Sequence, residues 1–122
     1  MALHNKLGKS GEETAIRYLA LKGYLIRDIN WRKGHYELDI VAVKDDTLVV
    51  AEVKTRRNAD FQKPEDAVDM KKIRRIVSAA NTYIRYYGLS MPVRFDIITL
   101  VGEADNFSIE HIEDAFYPPR FN

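Results

Sequence analysis

Apolar and polar positions follow two different periods along the chain. From about Ser10 to Lys22 apolar residues recur every three or four positions, the spacing of one helix face. Ser10 with Glu13 three residues later forms a capping box, and Gly23 is a natural stop, so the first helix is predicted there. Tyr24 to Trp31, residues 36–44 and residues 47–55 read as three strands, the last two almost wholly apolar and joined at Asp45-Asp46. Pro64, Glu65 and Asp66 suit a first helical turn. The spacing Asp69-Ile73-Ile76-Ala80-Tyr83-Tyr87 then predicts a long helix that Gly88 ends. Residues 92–101 give a fourth strand, and Phe107 to Ile112 is a candidate fifth.

The predicted order is helix, three strands, helix, strand. Strands that are apolar on both faces need cover on both sides, so the expected fold is an α/β (α+β) domain of three layers with a mixed sheet. Third strand, long helix and fourth strand form a unit expected to cross over right-handed and parallel. With no repeat or linker, the 122 residues read as a single domain, its core about 8–113 and its tail, 114–122, irregular.

Composition narrows the function classes. Hydrophobic residues at 46% and charged residues at 30% argue against disorder, and the lack of cysteine removes disulfides and thiolate zinc sites. No apolar run approaches the ~18 residues of a membrane span, and the first residues carry no signal-type apolar core, so no membrane partner and a cytoplasmic location are expected. A net charge of +1 does not suggest a strongly basic nucleic-acid binder, but its distribution is uneven. Residues 54–75 carry eight basic side chains against four acidic, whereas residues 95–119 carry six acids and no Lys or Arg. That basic stretch is either a face that steers a polyanion or a solvated helix face.

Residues 37–54, ELDIVAVKDDTLVVAEVK, place ionisable groups where a buried sheet should be apolar. With a hairpin turn at Asp45-Asp46, Asp39 falls opposite Glu52 and Glu37 opposite Lys54, and strict alternation puts all four on one face. Opposed carboxylates at ~4 Å repel by on the order of 4 kcal/mol before relaxation. Three acids and one amine leave a net charge of −2, which suits one divalent cation with hard oxygen ligands and retained water. On the first helix Glu13 is explained by its cap and by Arg17. Glu12 instead lies on the inward stripe with Ile16 and Leu19, where it either meets nearby amides or reaches the same metal site, the second being preferred.

The remaining chemistry-bearing residues form no competing centre. His4, His35 and His111 lack zinc-ligand spacing, and His35 reads as an exposed loop residue near the charged strands. Arg94 and Asp96 are expected to form a structural ion pair, and Trp31, Tyr83 and Tyr87 to belong to the core. Arg56 and Arg57, directly after the third strand, are expected at the lip of the charged site. Lys71, Lys72, Arg74 and Arg75 open the long helix and are either phosphate contacts or ordinary surface pairs.

Asp39 followed by Glu52-Val53-Lys54 resembles the PD-(D/E)xK nuclease signature, an Asp and an E-x-K on adjacent strands. With GEETAIRYL, YELDIVAV, VVAEVKTR and RFDIITL in that order, the chain resembles the YraN-like uncharacterised family over roughly residues 8 to 101. That family is similar to the Holliday junction resolvases and restriction endonucleases. The resemblance implies a restriction-endonuclease-like core, magnesium or manganese dependence and hydrolysis of DNA phosphodiester bonds, with branched or structured DNA among the implied substrates. It implies Asp39 and Glu52 as metal ligands, Lys54 as the catalytic lysine, and Glu12 as the N-terminal helix acid seen in resolvases. DNA is the implied partner, contacted by Arg56, Arg57, Lys72, Arg74 and Arg75. A homodimer would follow from symmetric junction cleavage, and a partner in a larger DNA-processing complex is the alternative. Leu38 stands where the signature has proline, and Tyr36 precedes Glu37 where the family has glycine.

Overall fold

The computed structural model describes residues 3–57, 69–103 and 106–118. Helix α1 (Leu3–Leu21) leads into strands β1 (Leu25–Lys33), β2 (Tyr36–Lys44) and β3 (Thr47–Arg56). Helix α2 (Met70–Tyr87) precedes β4 (Val93–Glu103) and β5 (Asn106–Ile112). The strands form one sheet in sequence order, antiparallel throughout except for the parallel pair β3–β4 that α2 connects. The mixed sheet and element order match the expectation, and the fifth strand is present.

Alternation along β3 divides the interior in two. Val49 and Ala51 pack with Ile40, Ala42, Ile98 and Leu100 under Ala15 and Leu19 of α1. Leu48 and Val50 pack with Val41, Phe95 and Ile97 under Ile76, Ala80 and Tyr83 of α2. One helix therefore covers each face, and both apolar faces are buried. The β2–β3 turn falls at the predicted Asp45-Asp46 as a two-residue loop: Lys44 pairs with Thr47, and Asp45 and Asp46 take φ of 49° and 61°. Left-handed backbone at both central residues matches the twist of the flanking strands, and aspartate tolerates it better than most residues.

Two boundary expectations are corrected. Helix α1 begins at Leu3, so Ser10 is interior and the Ser10–Glu13 capping box is not the helix start. Positions 64–66 lie outside the described residues. Helix α2 starts after Asp69, whose extended backbone and carboxylate, accepting the Lys72 N–H at 2.9 Å, provide the cap. The C-terminal segment is irregular but packed, since Ala115 N–H donates to Phe95 at 2.8 Å and the Phe116 ring stacks on Phe95. Among the described residues no helix is long and apolar enough to cross a membrane.

Gly11 sets how closely α1 approaches the sheet. A β-carbon there would collide with the hydroxyl and methyl of Thr55, so only glycine lets the helix lie against the end of β3, next to Lys54.

Candidate functional site

The β2–β3 register follows the predicted pairing from Lys44↔Thr47 to Ile40↔Ala51, and the described pairing ends there. At the next position Asp39 Oδ2 accepts the backbone N–H of Val53 at 2.9 Å, taking the place of a ladder bond. Alternation slips at the same point. Leu38 and Val41 both join the α2-side core, while Ile40 joins the α1-side core. On the other flank Asn30 falls between the pairs Ile29↔Ile40 and Trp31↔Leu38, beside Asp39, and has a φ of 50°. Strict period-two geometry is therefore wrong for this end of β2. The Asp39 carboxylate points into the gap between strands rather than standing squarely opposite Glu52.

The slip still brings the two acids together. Asp39, Glu52 and Lys54 line one cavity of about 300 Å³, joined by Lys72 and Arg75 from the start of α2. The Glu52 side chain is only 12% exposed, and Lys72 Nζ lies 2.7 Å from its Oε1. Burial and the adjacent Asp39 charge push the Glu52 carboxyl up to about 7, against the opposing pull of Lys72. Burial also works to lower the Lys72 pKa, but its hydrogen bond to Glu52 and the charge of Glu52 outweigh that and raise it. The pair is thus an under-neutralised acid site held by one ammonium. Lys54 lines the same cavity and makes no ion pair among the described residues. Its register neighbour on β4, Thr99, has a buried hydroxyl without a hydrogen-bond partner among the described residues.

The other predicted residues are distributed unevenly. Glu37 lines the cavity, but its carboxylate is mostly exposed and sits 3.2 Å from Arg32, so the four-charge square is not closed as expected. Glu12 is not brought into the cavity. It accepts a hydrogen bond from Asn30 and lines a separate groove with Lys9, Ile16 and Ile29. Half-buried at the edge of the inner face of α1, it reaches β1, beside the strand of Asp39 and two strands from Glu52. Arg57 is exposed and lies 3.7 Å from Glu103 of β4 instead of at the cavity. Arg56 is half-buried and Arg74 is exposed, and neither lines the cavity. His35 is exposed as expected and lines the cavity mouth against the Tyr36 ring. Tyr87, expected in the core, is 42% exposed.

Lys72 is the residue whose role at the site the sequence did not disclose. Its place in the first turn after the Asp69 cap was obscured because the helix was expected to open several residues earlier. Recognising Asp69 as the cap puts Lys72 and Arg75 on consecutive turns of one helix face, which is the available signal.

Arg94 and Asp96 do form the predicted ion pair, within a larger knot on the α1 side of the sheet. Asp96 is fully buried and accepts from Arg94 Nε at 2.9 Å and Nη2 at 2.8 Å, while His111 Nε2 lies at 2.7 Å. Tyr24 accepts from Arg94 at 2.6 Å, and Tyr18 reaches the other His111 nitrogen at 3.0 Å. Burial works to raise the Asp96 pKa, but these donors outweigh it and hold the carboxyl below its ordinary value.

The cavity's donor set fits magnesium, which takes one or two carboxylates and keeps several waters. Asp39 and Glu52 supply those carboxylates, and the raised Glu52 pKa marks negative charge that a divalent cation would relieve. Among the described residues no group of three His, Cys, Asp or Glu side chains could hold a metal, so most of the coordination would fall to water or substrate oxygens.

Comparison with known proteins adds a family without a stated activity. Residues 11–100 match the model described as Uncharacterised protein family UPF0102. A UPF0102 protein of Bacteroides thetaiotaomicron is 60% identical, covering 99% of this chain and 100% of its own length. One from Porphyromonas gingivalis is 48% identical over 95% of this chain and 87% of its own length. One from Flavobacterium psychrophilum is 47% identical over 96% and 98%.

Proposed function

The chain belongs to the uncharacterised protein family UPF0102, and we propose that it is a metal-dependent endonuclease hydrolysing DNA phosphodiester bonds. One observation carries this: two acids, one of them mostly buried with its pKa raised to about 7 by burial and by the other, share a cavity with Lys54, Lys72 and Arg75. A structural ion pair needs no second acid beside the first. A phosphodiester site needs acids for a cation and amines for phosphate in one place.

In this proposal Asp39 and Glu52 would hold the ion, which would supply Lewis-acid polarisation and an activated water. The Val53 amide fixes the Asp39 carboxylate before any ion arrives. Lys54, on the same strand as Glu52, stabilises negative charge growing on phosphate. Lys72 neutralises Glu52 in the metal-free site, and with Glu52 engaged by a cation its ammonium would be free to meet a phosphate oxygen. Arg75, one turn on, holds a flanking phosphate. Glu12 has no direct part.

The test is incubation with duplex, flap and junction DNA in magnesium or manganese. Cleavage is expected to fall at least a hundredfold in Asp39→Asn, Glu52→Gln and Lys54→Ala, by the usual scale for removing a transition-state electrostatic group. Absence of cleavage on every substrate would refute the assignment, as would undiminished cleavage by Glu52→Gln.

A second reading, a non-catalytic nucleic-acid-binding module, is favoured by one observation, the 2.7 Å Lys72–Glu52 bridge that already occupies the acid. It predicts salt-sensitive DNA binding that Arg75→Glu weakens, with no turnover in any metal.

A further inference from the structure

Away from the cavity, α2 and the β1–β2 hairpin meet at a second groove of about 290 Å³ lined by Lys33, Thr82, Arg85 and Tyr86. Tyr86 is 57% exposed, a large ring left on the surface of a helix whose inward tyrosine, Tyr83, is fully buried. Lys33 Nζ lies 4.4 Å from its centroid, so a cation already rests against the ring. No carboxylate lines the groove among the described residues. Two acids of the flanking strands are committed elsewhere: Asp28 accepts the Tyr83 hydroxyl at 2.6 Å, and Glu37 pairs with Arg32.

Two elements link the groove to the cavity. Lys33 pairs with Tyr36, which lines the cavity. On α2, Arg75, Thr82 and Tyr86 are spaced by seven and four residues and so lie in one row along the same face. Arg75 to Tyr86 covers about 17 Å along the axis, the length of about five nucleotides at the ~3.4 Å rise of a stacked strand.

We infer that this row is a track for an unpaired nucleotide strand leaving the cavity, with Lys33 and Arg85 on its phosphates and the Tyr86 ring stacked on a base. The inference rests on the nuclease reading for the direction of the strand, and it narrows the substrate class to DNA carrying a single-stranded flank beside the duplex. Exposed aromatics combined with cations are the features that bind single strands, because every base offers a ring face whatever the sequence.

Binding without turnover tests it. Fluorescence anisotropy in EDTA compares one labelled duplex with three ends: blunt, with a flank of eight thymidines, and with a flank of eight abasic sites, each flank placed 3′ and 5′ in turn. Wild-type protein is expected to bind the thymidine flank about tenfold more tightly than the abasic one, the scale of one stacked base. Tyr86→Ala should erase that preference and leave blunt-duplex affinity unchanged, and Tyr86→Phe should retain it. Lys33→Gln should weaken both flanked DNAs equally and shallow their salt dependence by about one phosphate. Equal binding of thymidine and abasic flanks by wild type would overturn the inference, and so would a preference that survives Tyr86→Ala. Since no metal is present, a Tyr86-dependent preference in a protein that never cleaves DNA would refute the nuclease reading alone. Cleavage without that preference would refute the track alone.

Discussion

Two buried carboxylates lie one register step apart on adjacent strands, and the protein treats them in opposite ways. Asp96, on β4 facing α1, is surrounded by donors: Arg94 twice, His111 and the Asp114 N–H. Glu52, on β3 facing α2, has one ammonium and a second carboxylate beside it. Burial opposes ionisation at both. It is outweighed at Asp96, whose pKa falls, and reinforced at Glu52, whose pKa rises to about 7. A fold that can satisfy an acid so completely on one face of its sheet has left one short of partners on the other. That contrast separates a charge satisfied by the fold from the charge on which the proposed site rests.

The largest expected effect breaks the satisfied side. Asp96→Ala leaves Arg94 and His111 facing a site without its anion, and the loss of stability should be about 3–5 kcal/mol, read by urea denaturation. A loss below 1 kcal/mol would mean the knot is no more than a surface pair. The unsatisfied side should respond with the opposite sign. Glu52→Gln removes a disfavoured charge and keeps an acceptor for Lys72, so stability in metal-free buffer at neutral pH should rise by about 1 kcal/mol. The same substitution abolishes the proposed chemistry, so a gain of stability with a loss of function is expected at a single position.

Divalent cation sharpens the contrast further. Magnesium or manganese at a hundred times its dissociation constant should stabilise wild-type protein by up to about 2.7 kcal/mol, less the cost of displacing Lys72. Glu52→Gln and Asp39→Asn should show no such rise in Tm. A rise that survives in both variants would place the ion elsewhere.

The sheet was legible in the sequence because hydrophobicity sets it. Runs such as IVAV and LVVA, broken at Asp45-Asp46, fix strand positions, turn and register together, and helices were required on both sides. The site was legible only in part. Asp39, Glu52 and Lys54 were identifiable as charges in apolar strands, and they do share a cavity. Their arrangement was not identifiable, because alternation slips at Asp39, where Asn30 takes a left-handed backbone and the Val53 amide captures the carboxylate. No pattern of apolar residues encodes that slip. Glu12 was misplaced because the buried row of α1 runs through Gly11, Ala15 and Leu19, which leaves Glu12 at the edge of that face on Asn30. Lys72 depends on where α2 begins, which Asp69 decides by a single capping bond.

The pH dependence carries the two signs in one experiment. The Glu52 pKa is higher in the folded state, so its contribution is fully present below its unfolded value of 4.5 and lost as pH rises to about 7. The Asp96 pKa is lower in the folded state, so its contribution is present above 3.8 and lost as pH falls below that. In metal-free buffer the stability gained by Glu52→Gln should therefore grow between pH 4.5 and about 7, then level off. A difference independent of pH in that window would show that the glutamate is not deprived of partners.

The smallest expected effect is at Glu37, and it decides whether sharing the cavity is enough. Its carboxylate lines the same space as Asp39 and Glu52, yet it is 61% exposed and faces an Arg32 side chain that is 74% exposed. Water solvates both groups well, so the pair is worth no more than about 0.5 kcal/mol. Glu37→Gln should leave Tm and the metal-dependent rise in Tm within error of wild type. Loss of that rise would make Glu37 a third ligand and enlarge the site toward the hairpin tip. Its retention would confine ion binding to the two acids that the slip in β2 drives together.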